Sequence, residues 1–340
     1  MMTAWFSRIN LSAIVLTLIV IVLGAYVRLS DAGLGCPDWP GCYGQFSAPD
    51  NMEEITRAEI LFPKHTVESH KAWKEMLHRY LASLLGLVII AMAVIAWRNK
   101  QSAQQPLMLP IFLVGLVIFQ GMLGMWTVTH LLKPTVVTLH LLTGLLTLSL
   151  LFWSYLKSKG KLYSQQSVKT GVRVGSRLAL VVLSLQIFLG GWTSTNYAAL
   201  YCPDFPTCGG QWLPAMNFDE GFNFIHESGV NYEGGVLSTP AGMTVHVMHR
   251  LGALITTIVV VLLAFLLLRG EHSRLLRNTA GVLLAVLAIQ IALGIANVLL
   301  YLPLPLAVAH NAGAALLLLV MVFLNYLVKH NAEIKGGQNE

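Results

Sequence analysis

Four histidines fall at one end of apolar stretches in two matched pairs, His78 with His140 and His249 with His310. His78 and His249 lie 171 positions apart, and His140 and His310 lie 170 apart. A lone histidine in a membrane helix more often hydrogen-bonds to a neighbouring helix than binds a metal. Two histidines per half, on the second and fourth helix and recurring in both halves, point instead to two sites in which neutral imidazoles ligate heme iron from both sides. Arg79 and Arg250 each follow the first histidine of a pair. A guanidinium suits carboxylate geometry, so each is a candidate for holding heme propionates; snorkelling to the headgroups is the competing role. Glu75 precedes His78 by three residues, on the same helical face, and its repeat counterpart is His246. A carboxylate facing a bundle interior is a candidate functional group, although the dipole at a helix start also favours a surface glutamate. The two halves are therefore expected to differ in chemistry.

Such groups need a scaffold within the bilayer. The chain has 340 residues, 55% of them hydrophobic and only 11% charged, too apolar for an ordinary water-soluble domain. Roughly 20 apolar residues suffice to cross the hydrocarbon core. Eight stretches qualify, at about 9–29, 77–97, 107–128, 136–156, 176–197, 244–268, 278–301 and 305–328. The first, preceded by Arg8, could be taken for a cleaved secretory signal; its length and its counterpart later in the chain favour a retained helix.

Charge sets the orientation. With the N-terminus in the cytoplasm, that side holds 14 of the 22 basic residues and three of the 16 acidic ones, a net +11, and the other face carries −5. The bias of basic residues towards the cytoplasm thus places both termini there. The overall +6 is a topology signal that calls for no nucleic acid.

Cys36 and Cys42 bracket Pro-Asp-Trp-Pro-Gly, and Cys202 and Cys208 bracket Pro-Asp-Phe-Pro-Thr, on the face away from the cytoplasm. An oxidising, periplasm-like compartment permits disulfides there, and a proline-rich turn can bring such cysteines within bridging distance. Metal binding by the thiols is the alternative, but no histidine neighbours either pair at ligand spacing.

The match between halves extends to Gln120 and Gly124, which return as Gln290 and Gly294. Self-similarity on this scale marks a duplicated unit. The expected fold is an all-α polytopic membrane protein whose eight transmembrane helices form two four-helix bundles related by a pseudo-twofold. Residues 1–160 form the first bundle, 161–175 a basic linker and 176–340 the second. Two long outer segments, roughly 43–76 and 209–243, are placed to cover the bundle mouths. Pro134 and Pro305 mark helix starts, which puts all four histidines in the outer half of the membrane. His65, His70, His130, His226, His272 and His330 lack matched partners and read as solvated or interfacial. Gln120 and Gln290 read as helix-packing hydrogen-bonders, Gly121, Gly124 and Gly294 as points of close helix approach, and Trp5, Trp39, Trp73, Trp97 and Trp212 as interfacial aromatics.

Taken in order, Glu75-Met-Leu-His78-Arg79, His140, His249-Arg250, His310 and the two Cys-Pro-Asp-aromatic-Pro-x-Cys loops resemble the heme A synthase family over nearly the whole length. The resemblance implies an oxidoreductase that converts heme O to heme A by oxidising a ring methyl to a formyl group, for aa3-type terminal oxidases. It implies that Glu75, His78 and His140 form the substrate site and that His249 and His310 hold a resident heme b. It also implies a bacterial inner (cytoplasmic) membrane location and work beside heme O synthase, oxidase assembly factors and an electron partner, with oligomers open. The cysteine loops occur in only part of that family, which favours a structural role for them. The residues alone leave three rivals: a bis-histidine b-type cytochrome drawing electrons from quinol, a non-catalytic heme-handling assembly protein, and a transporter with parallel repeats. A transmembrane electron carrier would place one heme near each face, Glu75 argues against mere handling, and a transporter needs no paired histidines.

Overall fold

A computed structural model describes residues 2–100, 107–159 and 168–336. Much of the expected linker, including Lys161, and the terminal Glu340 lie outside these residues, as does the side chain of His330. Ten α-helices follow in order: α1 (Met2–Leu29), α2 (Met52–Leu61), α3 (Ser69–Arg98), α4 (Met108–Thr129), α5 (Pro134–Ser158), α6 (Thr170–Thr195), α7 (Phe218–Gly221), α8 (Thr239–Arg269), α9 (Arg274–Leu299) and α10 (Leu304–Gly336). All but α2 and α7 are long and apolar enough to cross a membrane, making this a multi-pass membrane protein. Among the described residues there is no strand, only an isolated bridge in each cysteine loop.

Several helices extend past their apolar stretches. α3 starts at Ser69 where hydropathy alone suggested about 77, and α6 starts at Thr170 instead of near 176. Hydropathy reports contact with hydrocarbon, whereas backbone hydrogen bonding carries a helix on into the polar layer. One consequence is depth: His78 and His249 sit nine and ten residues into α3 and α8, about 14–15 Å along the axis at 1.5 Å per residue. They are not early in their helices, as their spacing from the apolar runs suggested. His140 and His310 lie six residues in, about 9 Å.

The turns that aim α5 and α10 are built alike. Leu131 and Leu132 before α5, and Tyr301 and Leu302 before α10, all have positive φ. Such non-glycine residues cost about 1–3 kcal/mol each unless the surroundings fix them. Pro134 then occupies the first turn of α5, where its missing N–H is harmless.

α1 and α4 each pack against both α3 and α5, whereas no extended contact joins α3 to α5 among the described residues. α6 and α9 pack in the same way against α8 and α10, again without an extended α8–α10 contact. The histidines thus sit on helices that face each other across an interior. α10 also packs on α1 and α5, and α5 on α6, which joins the two sets.

The core is unevenly distributed along the helices. Phe6, Ile89, Met92, Leu148, Leu267 and Leu276 are fully buried, and they belong to one continuous cluster far from the cysteine loops. Towards the cysteine loops that cluster stops, and α1 residues 21–26 are all only partly buried. Outward-facing Leu87, Ile118, Leu185 and Leu262 are exposed, as hydrocarbon contact requires.

The segment between α6 and α8 crosses from one set of helices to the other. Gly221 in α7 accepts a hydrogen bond from Trp192 Nε1 (2.8 Å). Farther on, the Tyr232 N–H donates to the Leu131 carbonyl (3.0 Å) and Thr135 Oγ1 to the Phe224 carbonyl (2.9 Å). His226 is half-buried here, with Nδ1 3.0 Å from Thr135 Oγ1 and its ring against Trp192 and Tyr232. It was expected to be solvated or interfacial; it is half-buried and ties the crossing segment to Thr135 and Trp192. Burial holds its pKa below the usual histidine value.

Candidate functional site

Each of the four paired histidines rests on a glycine of a neighbouring helix. A Cβ at Gly24 of α1 would lie 2.9 Å from His78 Cε1, and one at Gly190 of α6 would lie 3.0 Å from His249 Cε1. The corresponding separations are 3.6 Å from Gly124 of α4 to His140 and 3.1 Å from Gly294 of α9 to His310. In each set, two facing helices supply imidazoles and the other two supply the notches that receive them. The notch glycines of α1 and α6 also correspond between the halves, Gly24 returning as Gly190. Gly121, read as a point of close approach, has nothing near its α-carbon and faces open space.

Glutamines hold the histidine-bearing turns. Gln120 Nε2 donates to the His140 carbonyl (3.0 Å), and Gln290 Nε2 to the His310 carbonyl (2.9 Å). These are the helix-packing bonds expected of both. Gln186, which the sequence did not single out, lies 3.0 Å from His249 Nδ1 and donates to the His249 carbonyl at 3.1 Å. Second partners of this kind fix the orientation of a ligating ring.

The donor set suits a heme. His78 lies within electrostatic reach of His140, as His310 does of His249. Each of these four histidines is only partly buried, where the packed core has ended. Nδ1 of His78, His140 and His310 is buried without a hydrogen-bond partner. Among the described residues no cluster of three or more His, Cys, Asp or Glu could hold a bare metal ion. Two imidazoles across a gap fit a porphyrin iron, whose other four positions are filled by the ring.

Above the histidines lie the cysteine loops. Cys36 is bonded to Cys42 and Cys202 to Cys208, which leaves no free cysteine. Asp38 accepts from the Tyr43 and Gly44 N–H groups, and Asp204 from those of Gly209 and Gly210. A hydrogen bond from the Thr207 hydroxyl, with those amides, holds the Asp204 carboxyl down at about 2. Whatever this loop gains from the charge is complete above the ordinary pKa of 3.8 and is lost as the pH falls through about 2.

The two arginines beside the histidines serve these loops. Arg79 donates to the carbonyls of Asp38 (3.0 Å), Pro40 (3.3 Å) and Gly41 and pairs with Glu75. Arg250 donates to the carbonyls of Thr207 (2.7 Å), Asp204 (2.8 Å) and Cys202 (3.0 Å). The helix-to-loop cage is therefore present in both halves. Glu75 is 5% exposed, and its Oε2 accepts from the Cys36 N–H at 2.8 Å. Its counterpart His246 is 4% exposed, with Nδ1 unpartnered. The sequence gave no sign that Glu75 would be tied to the first loop.

The notches make a graded test. Gly24→Ala and Gly190→Ala force a methyl to within about 3 Å of an imidazole carbon, an overpacking that costs about 1–3 kcal/mol. Gly190→Ala is expected to lower the heme retained on purified protein several-fold, read as the iron-porphyrin absorbance per protein, and Gly24→Ala to weaken binding of porphyrin added to the first cradle. Gly294→Ala, with its methyl about as close to His310, should act on the retained heme in the same way. Gly124→Ala meets only ordinary contact at 3.6 Å and gains up to about 1 kcal/mol of helix propensity, so it should leave binding unchanged. An equal effect at all four positions would contradict the notch geometry.

Eight membrane helices, with histidines on facing helices of each set, define a polytopic helical membrane protein. Residues 7–322 match the model of the COX15-CtaA family, described as cytochrome oxidase assembly protein, and the chain belongs to that family. It is 45% identical to the heme A synthase of Shewanella oneidensis over 335 residues, 98% of each chain. It is 27% identical to the heme A synthase of Halalkalibacterium halodurans, over 93% of this chain and 94% of that one. The identity to the heme A synthase of Rickettsia felis is also 27%, over 93% and 95%.

Proposed function

We propose that this chain is a heme A synthase, which oxidises a ring methyl of heme O to the formyl group of heme A. The helix contacts are read as two four-helix bundles related by a pseudo-twofold. The first holds the substrate between His78 and His140, and the second holds a resident heme b between His249 and His310. The observation that carries this reading is a difference between matched cradles: Glu75, a buried carboxylate one turn from a ligand histidine, against the neutral-capable His246. The resemblance to proteins named heme A synthase supports the substrate.

A resident heme b supplies one-electron transfer. The chain's own groups do the rest. His78 and His140 orient the substrate by its iron, and the notches at Gly24 and Gly124 set how closely the helices approach it. Turning a methyl and one water into a formyl group releases four electrons and four protons. Glu75 is the acid–base group beside the site. Arg79 and Arg250 are assigned to holding the cysteine loops over the two cradles, since their donors are engaged there. The charge balance supports an inner-membrane location with both termini cytoplasmic and the cysteine loops periplasmic. Heme O synthase and oxidase assembly factors are the partners this role brings.

Expression beside a heme O synthase, in a host without heme A, tests the reading directly. Acid–acetone extracts should contain heme A, identified by chromatography and mass. Extracts holding only heme O, with the protein present in membranes, would overturn it.

A further inference from the structure

Arg28 stands in the last turn of α1, four residues beyond Gly24, and residues four apart share a helical face. It therefore lies over the His78 notch on the cysteine-loop side. Its Nη2 donates to the carbonyls of Ser194 (3.2 Å) and Thr195 (3.5 Å) at the end of α6, and its guanidinium lies 3.9 Å from the Tyr197 ring centroid. Those carbonyls engage one nitrogen of three. Nε is buried with no acceptor, and among the described residues no carboxylate forms an ion pair with this arginine. Arg250 shares the unpartnered Nε, but Arg79 and Arg250 are each bound to three loop carbonyls, and Arg79 to Glu75 as well. The repeat counterpart of Arg28 is Ser194, at the same 166-residue offset that relates Gly24 to Gly190. The first cradle has a cation at its rim, and the second has a hydroxyl there.

We propose that Arg28 binds a propionate carboxylate of the porphyrin held in the first cradle, and so selects an anionic substrate for that half. This rests on the assignment of the N-terminal half as the substrate site. A guanidinium keeps its charge when half-buried and matches a carboxylate through parallel N–H groups. The C-terminal end of a helix also favours cations, so capping of α6 is the role from which the proposal must be separated.

The test uses full-length protein, purified in detergent with its resident heme, and titrates it with iron protoporphyrin IX and with the dimethyl ester of that porphyrin, followed by Soret absorbance. Arg28→Gln is expected to weaken binding of the free acid about tenfold and to leave the ester unchanged, with Arg28→Lys recovering part of the loss. The ester also reports whether the variant cradle is intact. Equal weakening of both probes, as loss of a structural cap would give, overturns the proposal, as does unchanged affinity for both. His78→Ala separates the levels: if it leaves both probes bound as in the wild type, the cradle assignment fails and takes this proposal with it.

Discussion

Purified His249→Ala and His310→Ala variants are each expected to lose most of the b-type absorbance that the wild type carries. Each ring would supply one of two axial bonds, and each is seated by its own notch and glutamine. Removing one would leave a single imidazole to hold the group and a void where the other ring sat. Loss of a core-sized side chain costs about 2–5 kcal/mol in packing alone. His78→Ala and His140→Ala should leave that absorbance nearly intact, because their cradle is separate. A normal six-coordinate spectrum in both His249→Ala and His310→Ala would sink the assignment of the resident site.

The second large effect is expected at Glu75. Glu75→Gln keeps the side-chain shape and an acceptor for the Cys36 N–H but removes the charge. Arg79 keeps its three carbonyl acceptors, so the loop and the His249–His310 heme should survive. Turnover should fall by about 100-fold, the lower end of what a positioned acid–base group contributes. Heme O or its hydroxymethyl intermediate would then accumulate in extracts in place of heme A. Normal heme A yield at matched expression would show that the carboxylate serves only as the tie between α3 and the first loop.

Much of this architecture can be read from the chain because the bilayer imposes a simple rule: apolar length gives spans, and a buried ionisable group needs a reason. The four histidines, the unequal pair Glu75 and His246, and the cysteine pairs all follow from position and repeat. The notches could not be read in the same way, since glycine occurs in membrane helices for many reasons. Only the repeat separates Gly124, which returns as Gly294 and faces a histidine, from Gly121, which falls on Ile291 and faces open space. The engagement of Arg79 and Arg250 with loop carbonyls was equally hidden, because a backbone oxygen leaves no mark in composition. So was His226: its partners Thr135 and Trp192 lie in other segments, brought together by a non-repeating loop with no periodicity to reveal it.

That crossing loop also bears on how the protein is made. Its hydrogen bond from Tyr232 to Leu131 joins positions 101 residues apart. A ribosome adds about 5–20 residues per second, so the α4–α5 turn waits on the order of 5–20 s for the segment that will cover it. For most of that interval the first four long helices have been synthesised while their cysteine-loop end lacks this cover. The second unit matures in the reverse order: Gly221, which Trp192 will hold, and the rest of α7 leave the ribosome before either His249 or His310. A nascent chain therefore presents its two cradles in different states, the first assembled and open, the second roofed before its ligands exist.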